Sequence, residues 1–442
     1  MLNEVSALGH RMPAMLASPP AASGRTYLMN ARLFDGTGAD ARDRAAVLLD
    51  DGVIVRVGAS ADAVPEGAHI IDLAGRTLLP GLTDCHVHAK GKAPRVDKGA
   101  EEILPATPGH FLQALLRQAL RFGVTTIRDV GAAGRQPQEA RQAMRYGAFR
   151  GPRLLTCAKI ISATAAGGRF YGDMYREADG SDEVRRAVRE QLRDGADFIK
   201  VMTTGARSNE LESPGPAQFT HAEFEAIVEE SHRLEVKVAA HAEGLAGVEA
   251  AISHGMDTIE HGMYLHQRRD LLGRMAANSQ FLVPTLSGYY WVAGLGDAID
   301  PGSVEPEPEF APMLVELANH NLDQGARSLR AAHEEGVRIA LGSDGEVGAN
   351  VALELVRMIF HGLTPKEALV AATRTAAEAL GIDAHVGTVT TGKMADLVIV
   401  DGDPVVAPEL LLDPRRVWLV LQRGEPVAGA ALERDVAGLY QP

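Results

Sequence analysis

Only two of the 442 residues are cysteine, Cys85 and Cys157, so a disulfide framework is excluded as the organising principle. Positive charge is also in short supply. There are 58 acidic residues against 44 Lys and Arg, for a formal net charge of −14. Nucleic acid and anionic membrane both demand a basic face, so neither is expected as a partner. A small-molecule substrate is not constrained by this balance. No apolar run reaches the ~20 residues that cross a bilayer. Near the start, Met12-Pro13-Ala14-Met15-Leu16-Ala17 is short and broken by proline, unlike the core of a secretory signal. Residues 1–24 are therefore expected to be a mobile tail, and the protein to be cytoplasmic.

What is present is the composition of a globular enzyme, 46% hydrophobic and 23% charged. The length suits one large domain with a smaller companion. Both ends read as β. Ala46-Val47-Leu48-Leu49 and Val53-Ile54-Val55-Arg56-Val57 flank Asp51-Gly52, a strong hairpin signal. Ala395–Val400 and Val417–Leu421 are followed by Asp401-Gly402 and Arg423-Gly424. Residues 25–79 and 384–442 are thus expected to form one small β-sandwich domain built from both termini.

Between them, 80–383 alternates short apolar runs with helical patterns, the signature of a parallel sheet with helical crossovers. Eight runs can be counted: Leu78–His88, Thr125–Val130, Arg153–Ile161, Asp197–Met202, Val236–His241, Thr258–His261, Phe281–Thr285 and Arg338–Gly342. Eight βα units close into a (β/α)₈ TIM barrel. Glu183–Arg193 and Ala222–Leu234 are two of the expected helices. The long, Pro- and Glu-rich connection after the seventh run reads as an insertion beside the mouth.

Chemistry-bearing residues recur at the ends of these runs. His86 and His88 alternate on one strand, so both imidazoles can enter the barrel while Cys85 points away. Such a pair suits a borderline-soft divalent metal. Lys200 lies in the apolar Phe198–Met202, where a lysine must be paired with an acid or chemically altered. One alteration is reaction with CO₂, which gives a carbamate whose two oxygens can bridge metals. His241 and His261 end the fifth and sixth runs, either as ligands or as satisfied core residues. Asp344, in Gly342-Ser343-Asp344-Gly345, follows the eighth run, where an aspartate is placed for catalysis or for capping a helix.

Taken with Pro80–His88 and Gly392–Val398, this set resembles the amidohydrolase superfamily. Within it the chain is similar to the binuclear, carbamylated-lysine branch that includes prolidase-like metallocarboxypeptidases and ochratoxinase-like amidohydrolases. The resemblance implies two divalent ions, zinc by default for a His-rich set. His86, His88 and Asp344 would hold the first and His241 and His261 the second, with carbamylated Lys200 between them. It also implies a homo-oligomer, an octamer by family analogy. The implied reaction is attack on an amide by a hydroxide between the metals, with Asp344 as the proton carrier.

One departure is that Thr164-Ala165-Ala166-Gly167-Gly168-Arg169 has Arg169 where relatives carry a histidine. Loops 164–179, 203–216, 262–270 and 286–310 are expected to line the pocket. There Arg169 or Arg207 would clamp a substrate carboxylate, with surface ion pairs as the alternative use of each. Tyr264, Tyr289, Tyr290 and Trp291 would supply stackable walls. The expected substrate is an N-acyl amino acid or dipeptide. A lactonase or esterase, or a deaminase or cyclic-amide (imidazolone-like) hydrolase, is the alternative on the same barrel.

Overall fold

The computed structural model describes residues 23–90, 106–206, 212–307, 309–345, 347–348 and 350–437. All but the last two residues of the expected tail, and Arg207, lie outside them. Strands β1 (Arg25–Leu33), β2 (Arg42–Asp50), β3 (Val53–Ala59), β4 (His69–Asp72) and β5 (Thr77–Pro80) come from the N-terminal side. They join β16 (Leu397–Val400), β17 (Val417–Gln422) and β18 (Glu425–Ala428) in one mixed sheet. Its order is β18-β17-β16-β5-β1-β2-β3, with β4 on β1. Asp51 (φ +48°) and Gly52 (φ +78°) both adopt the left-handed backbone of a two-residue hairpin, as the sequence predicts. Alternate residues Leu397 and Ile399, Leu419 and Leu421, and Val47 and Leu49 meet in the core of this β-sandwich domain.

The middle of the chain is a (β/α)₈ barrel. Its wall runs β6 (Leu82–Val87), β7 (Val124–Asp129), β8 (Arg153–Thr156) and then, through β9 (Ile160–Ser162), to β11 (Ile199–Met202). It continues through β12 (Val238–Ala242), β13 (Thr258–His261), β14 (Phe281–Val283) and β15 (Arg338–Ile339), all parallel. The segment after β15 closes the ring, with Cys85 N–H donating to Leu341 O at 2.9 Å and Asp344 N–H to His86 O at 2.8 Å.

Two predicted runs turn out to be divided. Leu78–His88 splits at Gly81, where a Cβ would stand 2.0 Å from Thr125 Oγ1, and its first part pairs in the terminal sheet. Arg153–Ile161 splits around Ala158 (φ +61°), so that β8 pairs with β7 and β9 with β11. β10 (Tyr175–Glu177), parallel to β9, is an added strand without a strong sequence signal.

The expected helices appear as Ser181–Arg193 and His221–Arg233. The second starts in a capping box in which Glu223 accepts from Thr220 N–H at 2.7 Å and Thr220 Oγ1 accepts from Glu223 N–H. After β14 come a short helix, Leu286–Val292, and then the long helix Pro312–Glu334. A fully buried ion pair, Arg153–Asp396 at 2.9 Å, fastens β8 to the terminal domain. Among the described residues no helix is long and apolar enough to cross a membrane.

Candidate metal centre

The strand ends bring together two groups of donors, His86–His88–Asp344 and His241–Glu243–His261, each with its ligand atoms within 4.8 Å of one another. The rings of His86 and His261 lie 5.1 Å apart, so the groups adjoin.

Hydrogen bonds assign the tautomers. His86 Nδ1 faces Glu260 Oε2 at 2.6 Å, and His88 Nδ1 faces Gly131 O at 2.6 Å. Both partners only accept, so Nδ1 carries the proton and each Nε2 is a bare lone pair. Those two nitrogens stand 3.5 and 3.4 Å from the same Asp344 oxygen. In the second group, Thr285 Oγ1 donates to Pro284 O and therefore accepts from His261 Nδ1 at 2.7 Å. His241 Nε2 donates to Gly205 O at 3.3 Å. That leaves His241 Nδ1 and His261 Nε2, both bare, 2.9 Å apart. Lone pairs facing lone pairs, and a carboxylate facing two more, repel unless a cation lies between them.

Lys200, on β11, is 2% exposed and its Nζ has no hydrogen-bond partner. Burial lowers its pKa, and its charge acts on His86, His241, His261 and Asp344 alike. An orphaned buried amine central to the bare donors fits a group that a bound cation would require, and the donor set suits a divalent metal. Burial also drives the pKa of the three buried imidazoles well below the ordinary value, so they are neutral at pH 7 and able to donate lone pairs. Burial raises the Asp344 pKa, and the positive charge of the nearby Lys200 opposes it, so the carboxyl is held down and ionised at neutral pH.

The backbone is shaped for this convergence. His261 (φ +70°), Thr285 (φ +51°) and Asp344 (φ +49°) occupy the left-handed region, at a cost of ~1–3 kcal/mol each. The turn at His261 lets it and Glu260, neighbours in sequence, both serve the barrel interior. Gly342 admits His86, whose Cβ would be 2.7 Å from a side chain there. Asp84, buried, accepts from His86 N–H, Ser343 N–H and Ser343 Oγ1, tying the first strand end to the last. Burial, opposed by those bonds, raises its carboxyl to about 6.

The structure thus brings together all six predicted centre residues. Cys85 points away, buried beside Leu155 and Phe281. Tyr289 is nearly buried, donates to Glu243 Oε1 at 3.2 Å and lies 6.2 Å from the His261 ring. Tyr264 is half-buried past β13, 6.0 Å from the His320 ring. Arg169 is exposed on the helix Ala166–Tyr171, with no bond to the donor groups. Tyr290 is not a mouth wall. It is fully buried, its hydroxyl donates to Ile299 O at 2.7 Å, and Arg357 stacks on its ring. Trp291 is half exposed against Phe310.

Sequence reasoning assigned no role to Glu243, Glu260, Arg128 or Asp84. Arg128 carried a usable signal, the same one that marked Lys200: a cation in an apolar strand.

The sequence profile of the Amidohydrolase family matches residues 77–429. The chain is 31% identical to an ochratoxinase from Aspergillus niger, over 97% of this chain and 92% of that protein. It is 25% identical to an imidazolonepropionase from Chloroflexus aggregans, over 86% of this chain and 90% of the relative. The solved structure of a Xaa-Pro dipeptidase with bound methionine in the active site superposes with a TM-score of 0.79 at 28% identity. That match covers 91% of this chain and 99% of the other.

Proposed function

This chain belongs to the amidohydrolase family and is a hydrolytic enzyme, and from that premise we propose that it cleaves an amide bond whose leaving group is an amino acid. The substrate is an N-acyl amino acid or a dipeptide. The observation that carries the reading is the pair of bare nitrogens, His241 Nδ1 and His261 Nε2, 2.9 Å apart beside the orphaned Lys200 amine. His86, His88 and Asp344 would hold one divalent ion, zinc by donor type, and His241 and His261 the other. Burial favours the neutral Lys200 amine, which would add through Nζ to the carbon of CO₂ and release one proton. The resulting carbamate would put an anion with two oxygens where an ammonium would otherwise be buried.

Ions bound there would supply a lowered pKa for water and polarisation of a carbonyl. Asp344, ionised at neutral pH, accepts the proton of the attacking water and delivers it to the departing nitrogen. Tyr289 and Glu243 border the second group and shape the substrate side. The names of the ochratoxinase and Xaa-Pro dipeptidase relatives support an acyl–amino acid substrate.

The test compares an N-acyl amino acid and a Xaa-Pro dipeptide with their C-terminal amides, using metal-replete enzyme. Preference for the free acids supports the reading, and equal kcat/KM for acid and amide removes the carboxylate from it. A second reading, cyclic-amide hydrolysis, draws on the imidazolonepropionase likeness. An imidazolone in the same panel decides between them.

A further inference from the structure

Beneath the first donor group lies a buried charged network that metal binding alone does not require. Arg128, on β7, is 2% exposed, and Glu260, on β13, is 0% exposed. Arg128 Nη2 donates to Glu260 Oε1 at 2.7 Å, and the Thr258 hydroxyl donates to the same oxygen. Arg128 is itself anchored, Nε to Cys85 O at 2.5 Å and Nη1 to Thr258 Oγ1 at 3.1 Å. Oε1 is therefore fully engaged, and Oε2 is left to His86 Nδ1 at 2.6 Å.

We propose that Glu260, clamped by Arg128, is a positioning residue that fixes the tautomer and aim of His86, and so sets how firmly the first donor group holds its ion. This rests on the metal-binding reading above. An acceptor-only carboxylate forces the proton onto Nδ1 and leaves Nε2 free to ligate. Arg128 supplies the counter-charge without which a buried carboxylate would be untenable. And Oε1, tied at two points, cannot rotate away and release the ring.

A plain core ion pair would show the same contacts, so the test must separate the two roles. Glu260→Gln and the double variant Arg128→Met/Glu260→Gln are purified metal-loaded with the wild type. All three are dialysed against a graded zinc chelator, and ions per chain and thermal midpoint are measured. Glu260→Gln is expected to lose one ion per chain at ~10–100-fold higher free zinc than wild type, the usual effect of losing such a partner. The double variant has no uncompensated charge. It is expected to recover thermal stability and still lose that ion early. Wild-type retention of both ions in the double variant overturns the proposal and leaves the metal reading standing. A wild type that holds no ion overturns both.

Discussion

In the first donor group His86 leans on Glu260 and, through it, on a buried guanidinium, whereas in the second His261 leans on the Thr285 hydroxyl and His241 on the Gly205 carbonyl. The charged brace makes its imidazole a stronger donor, and the neutral ones do so less. The second group also depends on a loop. Thr285 is held in place because the next residues, Leu286 and Ser287, donate their N–H groups to the buried Glu354 at 2.8 and 2.7 Å. Of the four imidazoles only His86 thus has a charged brace, whereas His88, His241 and His261 have neutral ones.

The comparison is broken most severely at Lys200, which acts on both halves. Lys200→Ala should empty the shared position and abolish most activity while far-UV circular dichroism stays native. Asp344→Asn, which removes a donor and the proton carrier together, should lower kcat beyond the ~10²–10⁴ typical of an acid–base group alone. Unchanged kcat and pH profile in that variant would assign the proton to another residue.

Graded chelation sharpens the contrast without mutation. One ion per chain should leave before the other, and activity should disappear with the first. Simultaneous loss of both, read by elemental analysis, would mean the halves are equally braced. A smaller effect is expected from Thr285→Val, which removes one neutral hydrogen bond worth ~1 kcal/mol. Retention of the weaker ion should fall several-fold, with the tighter ion unaffected.

A pH dependence of stability, rather than of ion binding, is also expected. Burial, opposed by the bonds from Ser287 and Leu286, raises the Glu354 carboxyl from 4.5 to about 7. The folded chain then binds a proton that the unfolded chain has released, so this group's contribution to stability is full below pH ~4.5 and falls as pH rises through about 7. Glu354→Gln, which cannot ionise, should gain thermal midpoint relative to wild type between pH 5 and 8. A constant difference across that range would show that Glu354 titrates normally.

Much of this architecture was legible because period and position agree. Alternation marked the terminal strands, eight apolar runs marked the barrel, and strand-end histidines marked the centre. What escaped was geometry that breaks a period. Glu260 and His261 should face opposite ways on a regular strand, and only the left-handed turn at His261 lets both face inward. Leu78–His88 reads as one strand, yet Gly81 divides it between two sheets. Tyr290 and Tyr289 are indistinguishable in sequence, and the helix Leu286–Val292 sends one into packing and the other to Glu243. The stretch around Arg169 shows no helical period in sequence, yet it folds as the short helix Ala166–Tyr171.

The division at Gly81 governs the order of assembly. β5 leads into the strand that bears His86, and its partner β16 pairs Val400 with Thr77, roughly 320 residues downstream. During synthesis the barrel's first strand can meet its neighbour β7 early, yet its root stays half-paired until β16 has been made. A late-made strand thus locks the strand that bears an early-made histidine, and a product truncated before β16 would carry the sequence of the centre without a fixed base for it.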